Sequence, residues 1–387
     1  MKSKPPYSTT RNLWKSILLT LPMLLIMLVF MTGGKPDFSD MAHTVAFLMG
    51  YLFFGYLFFN MLYTGKTDKY RAVGFVTISL FFAFTFIVNL FEVRGSMTFS
   101  HEELLACEIP FCHIVTTMVI IPMAVKQSII FPGSLLGGFA PVATMLVFVL
   151  GFSFLLGRGF CSWGCFYGGW DEGTSRILKK PVIRNVHSFF KWSSFAVLLI
   201  VAISSAFALS PTYCDWLCPF KTVTEYEEIT SLKIFFKTMV FLSLFLGLVL
   251  VLPALTKKRI QCTTFCPMGA LLSLSNKINI FHIKIDPDKC TGCKVCAKTC
   301  PTLSIDTEDI QRGCASITCT KCGKCIDHCP QQAIRYHIKG TPIHTCTTLT
   351  RTLFLYPAFI MMITFTGGTV QNGILLLIKW FTTGSLF

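Results

Sequence analysis

CTGCKVCAKTCP at 290–301 and CTKCGKCIDHCP at 319–330 decide how this 387-residue chain is read. Both run C-x2-C-x2-C-x3-C-P, the spacing of bacterial two-cluster ferredoxins. Three thiolates in one tight loop cap three corners of a cubane, and the fourth, released by a proline turn, reaches the other cubane. The spacing assigns Cys290, Cys293, Cys296 and Cys329 to one [4Fe–4S] cluster, and Cys319, Cys322, Cys325 and Cys300 to a second. A lone C-x2-C pair also suits structural zinc, but two complete quartets, each closed by proline, exceed what zinc requires.

The rest of the chain is too apolar for a soluble domain, with 53% hydrophobic and 14% charged residues. Runs of membrane-crossing length lie at 13–31, 42–63, 72–91, 139–157, 189–209, 234–253 and 352–370. The formal charge of +15 follows from Lys and Arg gathering in cytoplasmic loops, so no nucleic-acid partner is expected. Eighteen cysteines in a long membrane chain point to metal, because disulfide scaffolds are small secreted domains. Lys2, Lys4, Arg11 and Lys15 flank a first apolar run with no A-x-A-like cleavage site, which reads as an uncleaved anchor.

Charge also orders the loops. A cytoplasmic N-terminus puts Lys66, Lys69 and Arg71 inside and Glu92, Glu102 and Glu103 outside. The segment 104–131 is apolar but broken by Pro110 and Pro122. A full crossing there would send Arg158, Arg176, Lys179, Lys180, Arg184 and Lys191 outside, against the positive-inside rule. A re-entrant pair of half-helices keeps every basic loop inside and leaves Glu225, Glu227 and Glu228 outside. The expected organisation is a transmembrane bundle over 1–285, a cytoplasmic two-cluster ferredoxin insert over 286–340, and a C-terminal transmembrane segment over 341–387. Within the last, 371–387 reads as a half-helix or an interfacial stub.

Four further cysteine pairs lie beside the predicted membrane boundaries. Three have i, i+4 spacing: Cys161/Cys165 in CSWGC, Cys214/Cys218 in CDWLCP and Cys262/Cys266 in CTTFCP. The fourth, Cys107/Cys112 in CEIPFC, is one residue longer. On a helix each i, i+4 pair offers two sulfurs on one face, and two facing pairs supply the four thiolates of a cubane. The loop order predicts an outer cluster on Cys107, Cys112, Cys214 and Cys218 and an inner one on Cys161, Cys165, Cys262 and Cys266. Outer cysteines in an oxidising compartment also form disulfides, and inner ones pack as small hydrophobes; Cys314 and Cys346 stay unpaired in every scheme.

With the C-x3-C-P motifs at Cys214–Pro219 and Cys262–Pro267, and above all CTTFCPMGALLSL at 262–274, the chain resembles the membrane polyferredoxins over about 150–340. These include the NapH-type quinol dehydrogenase membrane subunit and the membrane part of the nitrous-oxide reductase accessory protein. The resemblance implies electron passage between the quinone pool or a cytoplasmic donor and a periplasmic partner, in the inner membrane of a prokaryote. It implies lipid, other redox subunits or carriers, and quinone as partners. Cys165 departs from the motif, being followed by Phe166, not proline, and no C-x-x-C-H haem motif occurs.

The expected fold is an α-helical polytopic membrane protein with a small α+β ferredoxin domain, and the expected function is iron–sulfur electron transfer with no catalytic residue assigned. A metal-reducing maturation factor and a redox-sensing regulator are the alternative readings. His43 and His113 lie near spans and read as interface or hydrogen-bonded histidines. Lys289, Lys294, Lys298, Lys321 and Lys324 read as cluster-tuning charges, as a docking face for an acidic carrier, or as ordinary surface.

Overall fold

The computed structural model describes residues 12–32, 40–92, 112–127, 142–224, 231–342 and 347–384. Long apolar runs make the long helices: α1 Leu13–Thr32, which carries Pro22 in its interior, α2 Met41–Thr64 and α3 Thr67–Glu92. Asp40 starts α2 by accepting from Ala42 N at 3.0 Å, and Gly65 ends it at φ 72°, a left-handed stop that favours glycine. After the short α4 (Thr116–Lys126) come α5 (Val142–Leu156), α6 (Phe166–Thr174), α7 (Ser193–Ala208), α8 (Leu232–Leu244) and α9 (Pro267–Ser275). The last helix, α10, runs from Thr347 to Thr383. The stretch from 371 onward, expected as a half-helix or an interfacial stub, lies in the second part of this helix, Gly367–Thr383, which is bent by 45° from Thr348–Thr364.

Among the described residues, four helical stretches are long and apolar enough to cross a membrane: Leu13–Thr32, Met41–Thr64, Ser188–Ala208 and Leu232–Thr256; counting each of two bent pairs as one span brings the number up to six. Leu18, Leu25, Phe207 and Phe236 on their surfaces are exposed, as lipid-facing side chains are. The chain is a multi-pass membrane protein. Helix α4, with 11 residues, is about 17 Å long at 1.5 Å per residue, short of a hydrocarbon core of about 30 Å. It is a half-helix; residues 104–111 and 128–131 of the expected re-entrant pair lie outside the described residues.

The polar insert is built on a two-stranded antiparallel sheet, β1 Phe281–Ile285 and β2 Ile334–Ile338, with Ile283 opposite Tyr336. Strand β1 therefore begins ahead of the expected boundary at 286. The sheet rests on α10: Tyr336 stacks on Phe354 at 4.3 Å and Phe281 meets the same ring edge-on at 5.5 Å. Arg351 of α10, itself buried, donates to Met61 O (2.6 Å) and Thr67 Oγ1 (3.0 Å) and so pins the turn between α2 and α3.

That turn receives a second clamp from the insert. Asp327 accepts from Thr67 N at 3.3 Å and Asp68 N at 2.8 Å, capping the start of α3 from across the chain. A carboxylate there satisfies free N–H groups and faces the positive end of the helix dipole. Replacing Asp327 with Ala is expected to cost about 1 kcal/mol and to loosen the insert from the bundle. The check is the unfolding midpoint in detergent, which Asp327→Asn, keeping one oxygen acceptor, should lower less.

Candidate metal centres

The ferredoxin quartets assemble with their fourth members exchanged. Cys296 sits in electrostatic contact with Cys290, Cys293 and Cys329, and these four line one cavity. Cys325 is in the same relation to Cys319, Cys322 and Cys300. Left-handed residues make the loops tight enough: Gly292 (φ 67°) in one and Gly323 (φ 85°) in the other. Burial pushes the metal-free thiols of Cys296 and Cys319 up to about 11, so binding iron there expels protons. The two sites differ in exposure. Cys293 is exposed, whereas Cys300, Cys322 and Cys325 are buried against the bundle.

The inner pairs come together as well. Cys165 contacts Cys161 and Cys266 electrostatically, and Cys262 contacts Cys165 and Cys266. All four line one cavity, as the quartet at Cys290 does in the insert. Their local structure corrects the expectation that each pair shares a helix face. Cys161 and Cys262 lie in short helical turns, Phe160–Trp163 and Gln261–Phe265, the second a π-turn. The chain then breaks at the second cysteine, which is extended: φ −81°, ψ 109° at Cys165 and φ −80°, ψ 115° at Cys266. Each break carries the same bond, Cys165 N to Phe160 O and Cys266 N to Gln261 O. Each cysteine then opens a new helix, α6 or α9.

This equivalence extends to residues that cysteine spacing alone did not single out. Arg158 stands three before Cys161 and Arg259 three before Cys262, and each reaches across to the other half. Arg158 Nη2 donates to Cys262 O at 2.5 Å; Arg259 Nη2 donates to Cys161 O at 2.6 Å and to Cys262 Sγ at 3.1 Å. Both guanidinium groups are fully buried, and the Nε of each has no protein acceptor. Glycine follows at the matching position. A Cβ on Gly168 would lie 2.5 Å from Arg259 Nη2, and one on Gly269 would lie 2.8 Å from Arg158 Nη2. The signal was present in the sequence as two copies of R-x2-C-x3-C-x2-G, at 158–168 and 259–269.

Among the described residues, no three His, Cys, Asp or Glu side chains converge closely enough to hold a single metal ion. Zinc draws thiolates to about 2.3 Å from one centre, and these quartets are more open than that. A polynuclear cluster with one iron per thiolate suits an open, sulfur-lined cavity. The donor set and the buried arginine N–H groups, apt partners for sulfur acceptors, fit the same group.

Of the set expected to form an outer cluster, Cys112, Cys214 and Cys218 are brought together, while the fourth member, Cys107, lies outside the described residues. No disulfide joins the described cysteines. Cys314 bridges by its backbone to Lys284 and stays free, and Cys346 lies outside the described residues. Lys321 and Lys324 are buried, which removes them from any docking face; Lys321 bonds Leu156 O at 3.0 Å and Asn276 Oδ1. His43 is on the surface beside Asp40.

The four sites follow one another. Cys218 is in electrostatic contact with Cys266, joining outer to inner. Arg158 joins the inner site to the insert through Thr318 O at 3.1 Å, and Arg71 joins Ser162 O (2.9 Å) to Cys322 O (3.0 Å). Arg71, Arg176 and Arg259 share the buried carboxylate of Glu172. Cys325 lies in contact with Cys296, linking the two ferredoxin sites.

Families described as 4Fe-4S dicluster domains match residues 282–330 and 260–303, and a 4Fe-4S binding domain matches 138–184 and 190–228. The latter segments each contain one C-x3-C pair, outside the ferredoxin insert. The chain is 26% identical over 215 residues to the putative electron transport protein YccM of Escherichia coli, covering 54% of this chain and 58% of that one. It is 21% identical over 197 residues to the ferredoxin-type protein NapH of Haemophilus influenzae, covering 49% and 66%. Across these segments the chain is similar to ferredoxin-type electron-transport proteins. An uncharacterized Methanocaldococcus jannaschii protein, MJ0749, is 28% identical to this chain over 177 residues, 35% of this chain and 68% of that one. No solved structure matches. The chain carries multiple [4Fe–4S] clusters and is an electron-transfer protein.

The paired glycines make a symmetric test. Gly168→Ala and Gly269→Ala should each remove about four irons while leaving the EPR signals of the ferredoxin insert in place. Loss from one variant and not the other would contradict the equivalence of the two halves.

Proposed function

We propose that this protein carries electrons across the membrane between a cytoplasmic ferredoxin terminal and its outer face. The observation behind this is the unbroken succession of four cysteine sites, from Cys112, Cys214 and Cys218 to the exposed loop at Cys293. In this reading Cys107, Cys112, Cys214 and Cys218 hold an outer cluster and Cys161, Cys165, Cys262 and Cys266 an inner one. Cys300, Cys319, Cys322 and Cys325 hold the third, and Cys290, Cys293, Cys296 and Cys329 the fourth. Bound clusters supply one-electron, outer-sphere transfer.

The protein's own part is ligation, burial and charge. Arg158 and Arg259 place positive charge beside the inner thiolates, which favours the reduced state of whatever they bind. Phe160, Met268 and Phe220 wall the inner cavity and exclude water. Burial of the third quartet against the bundle leaves the fourth, at Cys293, as the exchange point with a soluble or membrane-bound redox partner. The basic loops carrying Lys66, Lys69, Lys179 and Lys180 support a cytoplasmic position for that terminal in a prokaryotic inner membrane. The outer end faces a periplasmic partner, with the quinone pool or a cytoplasmic donor at the other side of the exchange.

Iron and sulfide analysis with EPR of the reduced protein tests this. Four clusters require about sixteen irons, whereas a two-cluster ferredoxin with bystander membrane cysteines holds about eight. A count near eight, or EPR signals unchanged in Cys161→Ser and Cys214→Ser, would sink the transmembrane path.

A further inference from the structure

The outer and inner cysteine sites meet through two side chains outside the ligand sets. His113 directly follows Cys112 and begins the turn His113–Val115. Its buried ring does not serve the outer site: Nε2 lies 3.3 Å from Sγ of Cys165, an inner cysteine. Tyr167, two residues after Cys165, does the reverse: its hydroxyl lies toward the outer site, close enough to Cys112 to act on its thiol. It is in electrostatic contact with Cys112, Cys214 and Cys218 as well as with Cys165. The two rings approach to 5.6 Å at a tilt of 34°. Phe220 stacks on Tyr167 at 4.2 Å, and Phe160 meets His113 edge-on at 5.1 Å, so both are held in one orientation.

Packing does not call for this arrangement, because phenylalanine would fill either position among these rings. Buried polar groups do need partners, and here both partners are cysteine sulfur. A thiolate bound to iron can only accept, so His113 Nε2–H and Tyr167 O–H must be the donors.

We infer that His113 and Tyr167 are crossed positioning residues that tune and couple the two membrane centres. Each stands beside a ligand of one centre and donates to a ligand of the other. Hydrogen bonds to ligand sulfur stabilise the reduced cluster and raise its potential. The pair therefore adjusts each centre from its neighbour's side. It also supplies a path between them: Cys112 reaches Cys165 Sγ through the covalent frame of His113 and a single hydrogen bond. The inference rests on both membrane cysteine sets holding clusters.

EPR-monitored redox titration of the purified full chain provides the test, with the two centres assigned by the signals lost in Cys161→Ser and Cys214→Ser. Tyr167→Phe should shift the outer centre to lower potential and leave the inner one in place, although Tyr167 is the chain neighbour of an inner cysteine. His113→Leu should shift the inner centre downward, and His113→Gln, which keeps an N–H donor, should restore part of the shift. A merely structural role would move the centre nearest in the chain, or neither. About sixteen irons with both potentials unchanged would overturn the crossed bonding while leaving the transfer function intact; about eight irons in the unaltered protein would remove both. Should His113→Leu fail to load its clusters, Tyr167→Phe, which preserves the ring, decides alone.

Discussion

The reciprocal reach of Arg158 to Cys262 O and of Arg259 to Cys161 O is the interaction on which the rest of the architecture turns. A buried guanidinium is tolerable only when its donors are satisfied. In a continuous helix, carbonyl groups are already committed to the residue four ahead. Breaking the helix at Cys165 and Cys266 frees the carbonyls of Cys161 and Cys262 at the place where each arginine arrives. The breaks, the arginines and the two close-packed glycines are thus one requirement met twice. What results is a pair of half-sites that cannot assemble separately, since each completes the other.

The same arginine layer fastens the ferredoxin insert to the membrane bundle. Arg158 and Arg71 each spend one arm on the bundle and another on a backbone carbonyl of the insert. Glu172, shared by three arginines, and Asp68, paired with two of them, offset part of the charge of that layer. Such a network is costly to desolvate and is a weak source of net stability. Its value is geometric, in holding two sulfur-lined cavities in succession. Asp327 and the Phe354 stack add the conventional contributions, a helix cap and apolar burial, that keep the insert seated.

Legibility in the sequence followed the range of the interaction. The ferredoxin quartets could be read with their exchange, because the spacing of a tight loop already dictates which thiolates share a cubane. The membrane pairs could be read as pairs, but not in their true geometry: i, i+4 spacing suggested a helix face, where the chain actually breaks. Lys321 and Lys324 looked like surface because lysine usually is, yet tertiary packing buries both. The repeated R-x2-C-x3-C-x2-G was present all along and went unread, since its arginines and glycines acquire meaning only when two distant segments face each other.

By itself, then, the sequence determined the iron–sulfur chemistry of the insert and the membrane nature of the bundle, since both are set by local spacing and by runs of apolar side chains. Tertiary structure alone decided that the chain breaks at Cys165 and Cys266, that arginines cross between the two halves, and that His113 reaches Cys165. The last two are contacts between residues some fifty to a hundred positions apart. No local propensity encodes them; they exist because buried donors and acceptors from separate helices must satisfy one another once water is gone.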